Sequence, residues 1–247
     1  MIVSDANRVD LPDDLRAMGS QYVAMQYCGN QARRHIVIHR AEAVAAALRL
    51  DRGNVLDLGC GPGYSSVLVA RRVSGVTAVD IDPVKLKIAD RLARLNRVSV
   101  HVALADASAT LPFETGRFDG LVSLELIEHI RDWRALVGEM CRVVRPEGRI
   151  AVSTPRPLGA AQVVKTLLLR SGLKAESTYE WFISPRAIVK AFGEEGVEIT
   201  GVENVVFTAP MVPDPAMPAV KGLERLVESL PPLNRLCSTA IYCGIRR

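Results

Sequence analysis

From Asn54 onward the chain alternates short apolar segments with helix-forming ones, and that alternation limits the folds open to it. Asn54–Leu58 (NVLDL), Gly75–Ile81 (GVTAVDI), Arg97–Ala105, Phe118–Leu124 (FDGLVSL) and Arg149–Thr154 (RIAVST) read as strands, rich in β-branched residues. Tyr64–Val73, Pro83–Asn96 and Asp132–Val144 read as helices between them. Pro83 stands in a first turn, where its missing N–H costs nothing. Strand–helix repeats of this length build βαβ units around a mostly parallel sheet. The strands are nearly continuous in apolar residues, as strands covered on both faces are.

On either side of this core the pattern loosens. Residues 10–50 read as helix, with Ala41–Leu50 (AEAVAAALRL) made of strong helix formers, and Asp51-Arg52-Gly53 breaks the chain. After Pro155, Gly159–Gly172 is an amphipathic helix candidate and Ser184–Gly193 starts as a capped helix with Pro185 at N1. Val197–Thr208 is a sixth strand, residues 209–218 with their prolines a loop, Lys221–Ser229 a short helix, and Thr239–Arg246 a last strand. Two late strands joined by a long excursion suit an antiparallel pair at a sheet edge.

Composition removes other classes. The formal net charge is +4 with both signs interspersed, so no basic stripe points to nucleic acid. The five cysteines (Cys28, Cys60, Cys141, Cys237, Cys243) form no C-x-x-C pair, which suits a reducing, cytoplasmic setting and excludes a zinc ribbon. Neither a signal peptide nor a spanning helix is expected.

The most informative segment is Val55–Tyr64 (VLDLGCGPGY), an apolar strand running through Gly59, Gly61 and Gly63 into a helix. Glycines there allow a tight turn and a close ligand approach, beyond the carboxyl ends of the strands where open α/β sheets bind ligands. Asp80 at the end of the second strand is placed to accept hydrogen bonds from ribose hydroxyls. The spacing is G-x-G-x-G, not the dinucleotide G-x-G-x-x-G, and Pro62 sits where pyrophosphate needs free N–H groups. Asp57 repels phosphate and attracts an ammonium. A nucleoside carrying an amino acid meets both conditions.

Val55–Tyr64, Val79–Pro83, Ala105-Asp106-Ala107 with Leu111-Pro112-Phe113, Phe118-Asp119 and Arg142–Gly148 together resemble the ordered motifs of class I S-adenosylmethionine-dependent methyltransferases. The resemblance covers residues 54–155. It departs only at Glu147-Gly148, where a glycine pair is usual. It implies an α/β, Rossmann-like fold with a seven-stranded, mostly parallel sheet, an antiparallel last strand and helical lids. It also implies that Gly59, Gly61 and Gly63 contact the methionine part of S-adenosylmethionine and that Asp80 binds the ribose. Asp106 and Ala107 would meet the adenine, while Asp57, Ile81 and Leu124 line the cofactor. Arg40 is a candidate to pair with the cofactor carboxylate, with Arg34 as its competitor.

Glu125, Glu128 and His129 follow the fourth strand. If helical, they share one face and suit a divalent cation such as Mg²⁺. Alternatively His129, with Glu128, serves as the catalytic acid–base group, or the pair packs and caps near the cofactor. The Glu-x-x-Glu-His form resembles two groups, the ubiquinone-pathway O-methyltransferases and the small-RNA 2′-O-methyltransferases. The RNA group carries a further metal-binding histidine downstream. This chain has four histidines and none follows His129, which disfavours RNA. Thr154-Pro155-Arg156, Ala160–Gly172 and Thr178–Pro185 (TYEWFISP) also follow the order of the ubiquinone-pathway enzymes, with Tyr179 where those usually have His.

The expected organisation is therefore an N-terminal helical lid over 1–53, a cofactor-binding core over 54–155, an inserted lid over 156–183 and a closing part over 184–247. Tyr179, Trp181 and Phe182 would line the pocket. The insert is open to peripheral membrane contact, but a plain substrate lid suits its few cations better. The expected activity is methyl transfer to a small-molecule acceptor, chiefly to oxygen. The alternatives are N-methylation of an amine or amino sugar, and a non-catalytic cofactor-binding subunit.

Overall fold

The structure, a computed structural model, describes residues 30–156, 159 and 183–247. The expectations for residues 10–29, Ala160–Gly172, Tyr179, Trp181 and Phe182 lie outside the described residues. Among the described residues, seven strands form one sheet: β1 (Asn54–Leu58), β2 (Gly75–Asp80), β3 (Val100–Leu104), β4 (Phe118–Leu124), β5 (Val144–Pro155), β6 (Val197–Val205) and β7 (Thr239–Arg246). The six helices among them are α1 (Gln31–Ala47), α2 (Tyr64–Ala70), α3 (Pro83–Leu95), α4 (Trp133–Val143), α5 (Pro185–Glu194) and α6 (Met217–Ser229). No described helix is long and apolar enough to cross a membrane.

The strand order is β3-β2-β1-β4-β5-β7-β6, and β7 runs antiparallel to both its neighbours. The order reverses between β1 and β4, where such sheets open a crevice beyond their carboxyl ends. Alternate side chains of each central strand feed two cores. Val55, Val122, Ala151 and Ile241 pack on one face with Ala41, Val44 and Leu48 of the α1 segment, Val67 of α2, and Ile88 and Leu92 of α3. Leu56, Leu121, Val152 and Tyr242 pack on the other with Leu136 and Met140 of α4 and Ile188 and Phe192 of α5. Burial on both faces is what makes the strands apolar throughout.

Local chemistry sets the element ends. The Asp82 and Ser184 side chains accept from backbone N–H groups in the first turns of α3 and α5, with proline at the start of each helix. Four departures from the expected bounds have physical causes. β5 begins at Val144 because Arg145–Gly148 forms a bulge, its register shifting between Phe118 and Gly120 with Glu147 at φ 61°, rather than a break. β3 starts late and β6 ends early, beside left-handed Arg97 (φ 56°) and Val206 (φ 67°). α6 starts at Met217 inside the proline-rich stretch because Pro218 lies in its first turn, where proline is preorganised for a helix.

Two of the sequence motifs hold each other. Arg142 of α4 donates to the carbonyls of Leu111 (3.1 Å) and Phe113 (2.8 Å), fixing the loop after β3. Asp119 accepts from the Asn54 amide (2.7 Å) and from Arg145 (2.7 Å), tying the start of β1 to β4 and the bulge of β5.

The N-terminal half of α1 is bound to the C-terminal part. Asn30 caps it through Arg33 N–H and donates to the Pro210 carbonyl (3.0 Å), while Asp214 accepts from the Gln31 amide (2.9 Å). One and two turns on, His35 meets Glu224 and His39 meets Glu228 (2.8 Å).

Gly63 is a close joint between the glycine loop and α3. It has φ 85°, and a Cβ there would lie 2.6 Å from the Ala89 Cβ of α3. A Gly63→Ala chain combines a left-handed backbone penalty with overpacking, so it is expected to lose about 2–4 kcal/mol of stability. Urea unfolding measures this, and an unchanged midpoint contradicts the packing described.

Candidate active site

The loop after β1 is fastened to β2. The amides of Gly59 and Cys60 both donate to the Val79 carbonyl, at 2.8 and 2.9 Å. The Gly61 amide donates to Asp80 Oδ2 (2.8 Å), and the Asp82 amide to Asp80 Oδ1 (2.9 Å). Each Asp80 oxygen thus holds one backbone N–H and keeps a lone pair for another donor. Gly61 itself has φ 55°, and a Cβ built on it meets nothing within 4 Å. Its backbone therefore borders open space. Ile81, 62% exposed, sets a large apolar side chain beside that opening.

Asp57 lies beneath the loop with no exposure to solvent. Its Oδ2 accepts from the hydroxyls of Ser65 (2.7 Å) and Ser66 (2.6 Å), both in the first turn of α2. Its Oδ1 is buried and has no hydrogen-bond partner. Burial pushes the Asp57 carboxyl up to about 6; the two serine hydroxyls oppose the rise and the nearby Asp80 charge adds to it. A buried acceptor without a donor is costly, and a cationic donor entering the site relieves it.

At the end of β3 the Ala105 amide donates to the Asp80 carbonyl (3.3 Å), which brings the two strand ends together. Asp106 follows, exposed, accepting from the Ser108 hydroxyl (2.7 Å) and amide (2.8 Å). Those two bonds, the hydroxyl's foremost, hold its carboxyl below the usual range. Ala107 beside it is partly buried against the second core.

Beyond Leu124, the half-buried last residue of β4, Glu125 takes a left-handed backbone with φ 50°. A non-glycine residue there stores roughly 1–3 kcal/mol and persists only where its surroundings enforce it. Here β5 enforces it. The Glu125 amide donates to the Ser153 carbonyl (3.2 Å) and hydroxyl (3.1 Å), and Glu125 Oε1 accepts from the same hydroxyl (3.2 Å). Glu125 Oε2 pairs with Arg40 Nη1 of α1 at 3.4 Å, so α1 reaches the strand ends through this ion pair. The Arg40 Nε is buried without a hydrogen-bond partner.

The helical condition under which the Glu-x-x-Glu-His residues share one face is not met. Glu125 ends the strand in its left-handed turn, and only Ile127–His129 winds on, as one 3₁₀ turn with Glu128 buried and His129 exposed. Among the described residues, the group of three whose ligand atoms all lie within 4.8 Å of one another is His39, Glu224 and Glu228. Glu125, Glu128 and His129 do not form such a group.

Several site residues escape reasoning on the sequence. Ser65 and Ser66 hold Asp57, and Ser153 holds Glu125. The serine pair directly after the glycine loop is a usable signal, because side-chain donors at a helix start beside a buried acid have an obvious acceptor. Ser153 and Arg40 reach their partners across the sheet, and no local pattern shows that. Arg34, the alternative to Arg40, is exposed on α1.

Residues 56–152 match the model of the methyltransferase domain family. The ubiquinone biosynthesis O-methyltransferase of Xanthomonas oryzae pv. oryzae is 27% identical over 172 residues, covering 68% of this chain and 72% of the relative. An S-adenosylmethionine-dependent methyltransferase of Mesorhizobium loti superposes with a TM-score of 0.62 at 19% identity, over 83% of this chain and 98% of that one. Geranyl diphosphate C-methyltransferase of Streptomyces coelicolor, solved with Mg²⁺, geranyl diphosphate and S-adenosyl-L-homocysteine, gives 0.64 at 17% identity, over 98% and 93%. Family match, sheet order and motif order agree: the chain is an S-adenosylmethionine-dependent methyltransferase with the class I fold, similar to the ubiquinone biosynthesis O-methyltransferases.

Proposed function

We propose that the chain methylates an oxygen of a small-molecule acceptor, with the cofactor held in the cradle around Gly61. The observation that carries the cofactor assignment is a pair of orphaned buried atoms of opposite polarity, Asp57 Oδ1 and Arg40 Nε. The amino-acid end of S-adenosylmethionine brings an ammonium and a carboxylate, which satisfy an acceptor and a donor respectively. Gly59, Gly61 and Gly63 would hold that end. Asp80 would take the ribose hydroxyls on its remaining lone pairs, and Ile81, Leu124, Asp106 and Ala107 would border the adenine and the sulfur.

Bound S-adenosylmethionine supplies a methyl group already activated by its sulfonium. What remains for the protein is to aim the acceptor, to exclude water and to take a proton. In this reading an imidazole nitrogen of His129, exposed one turn past β4, takes the acceptor's hydroxyl proton. Glu128, buried beside it, fixes that turn. The names of the 27% identical relatives support oxygen as the methylated atom. A divalent cation at Glu125, Glu128 and His129 has no comparable support, since those groups do not gather. Residues 54–155 act as the cofactor core, residues 1–53 and 156–183 as lids that choose the acceptor, and residues 184–247 as the closing edge of the sheet.

Asp80→Ala is expected to weaken S-adenosylhomocysteine binding roughly tenfold to hundredfold, the loss of hydrogen bonds to a charged group. Calorimetry reads this, and wild-type affinity in a folded variant sinks the ribose assignment. His129→Ala is expected to bind cofactor normally but to turn over hydroxyl-bearing small-molecule acceptors roughly 10²- to 10⁴-fold more slowly. Undiminished turnover removes His129 as the base.

The Asp57 carboxyl sets a pH dependence. Its folded value of about 6 lies above the ordinary 3.8, so the ligand-free fold holds a proton there that the unfolded chain has released. Through this group, stability of the ligand-free protein rises as pH falls from neutrality toward about 4. Cofactor affinity moves the other way, because protonated Asp57 no longer attracts an ammonium. Binding is expected to weaken roughly threefold to fivefold between about pH 7.5 and about pH 5.5 in wild-type protein and not in Asp57→Asn. Equal pH dependence in both chains contradicts the assignment.

A further inference from the structure

We propose that His35, His39, Glu224 and Glu228 form a divalent-cation site of the zinc class that staples α1 to α6, separate from the strand-end crevice. The four residues are two i, i+4 pairs on two helices that face each other: His35 and His39 on α1, Glu224 and Glu228 on α6. Ligand atoms of His39, Glu224 and Glu228 lie within 4.8 Å of one another, and the His35 Nε2 touches Glu224 Oε2. The two imidazoles stack with centroids 5.4 Å apart and planes 10° from parallel. A tetrahedral ion with bonds of about 2.0–2.2 Å separates its donors by roughly 3.3–3.6 Å. Drawing the cluster in by about an ångström reaches that geometry, within the travel of long glutamate side chains.

The surroundings support a cation more than a plain pair of hydrogen bonds. Glu224 Oε1 accepts from the Thr208 amide and hydroxyl, both at 2.8 Å, and Glu228 Oε1 accepts from the Val206 amide at 2.8 Å. Outer contacts of this kind orient carboxylate ligands toward a metal. Glu42 lies three residues beyond His39 on the same helix face, in electrostatic contact with both histidines, and its Oε1 is buried without a hydrogen-bond partner. Three carboxylates therefore face two imidazoles and the nearby Arg72, with Glu224 strongly buried and one Glu42 oxygen left without a hydrogen-bond partner. Two nitrogen donors and two carboxylates favour Zn²⁺ or a similar transition ion over Mg²⁺ or Ca²⁺, which prefer oxygen alone. Binding replaces protons on the imidazoles and releases them to solvent. Arg40, adjacent to His39, carries the α1 ion pair to Glu125, so a cation here also steadies that contact.

The test uses the full chain, stripped with a chelator and titrated with CoCl₂ and then ZnCl₂. The expected result is one equivalent of Co²⁺ with the visible d–d absorption of a four-coordinate site, displaced by Zn²⁺, and a higher thermal midpoint in the metal-bound chain. His39→Asn and Glu228→Gln are expected to lose at least roughly tenfold in affinity, while Glu125→Gln and His129→Asn keep it. Loss in the second pair and not the first moves the site to the strand ends and overturns the proposal. Absence of stoichiometric binding overturns it as well. X-ray absorption on the cobalt-loaded wild-type chain needs no variant to fold: it is expected to show two imidazoles in the coordination shell, and a shell without imidazole overturns the proposal.

Discussion

The site hangs on the carboxylate of Asp80, which takes the Gly61 amide on one oxygen and the Asp82 amide on the other. That one side chain ties the loop after β1 to the end of β2, and so fixes the wall of the crevice at the reversal of strand order. It is nearly buried, and backbone N–H groups meet its two oxygens in fixed directions. The same bonds leave Gly61 facing open space while Gly63 two residues later is jammed against Ala89. One loop thus contains a glycine needed for packing and a glycine needed for access. Asp57 below adds a second acid, held by two serines on one oxygen and bare on the other.

The α1 segment is the second element on which the site depends. It contributes Arg40 to the strand ends, and it stays in place through a chain of long-range contacts rather than through its own helical strength. Asn30, Gln31, His35 and His39 all bind residues of the C-terminal part, from Pro210 to Glu228. Exposed ion pairs contribute little singly. Here Glu224 is buried and orders Thr208, His35 and α6 at once, so the contacts act as a unit. Its carboxyl, although burial works to raise it, is pulled down to about 2 by His35 and Thr208.

What the sequence made legible follows from range. β1, β4 and β7 have the bounds read from their apolar runs, because turn residues flank each of them. Asp57, the glycines and Asp80 were legible for the same reason: strand, loop and helix are adjacent in the chain. The clasp between Arg142 and Leu111–Phe113 joins two motifs that lie about 30 residues apart in the chain. The spacing of Glu125, Glu128 and His129 allows a shared helix face only if the stretch is helical, and it is not, because a left-handed glutamate has no local signature and is imposed by Ser153 of a different strand. The i, i+4 spacing of His35 and His39, and of Glu224 and Glu228, is plain in the sequence. Their facing one another is not, since 189 residues separate each pair.

The central claim is that an amino-acid nucleoside sits at Gly61 between Asp57, Asp80 and Arg40. A crystal structure of the chain with S-adenosylhomocysteine tests it most directly. The account predicts the ribose hydroxyls on the Asp80 carboxylate, the amino group on Asp57 Oδ1 and the carboxylate on the Arg40 guanidinium. Density for the ligand elsewhere, or at Gly61 with its amino group turned away from Asp57, would contradict it.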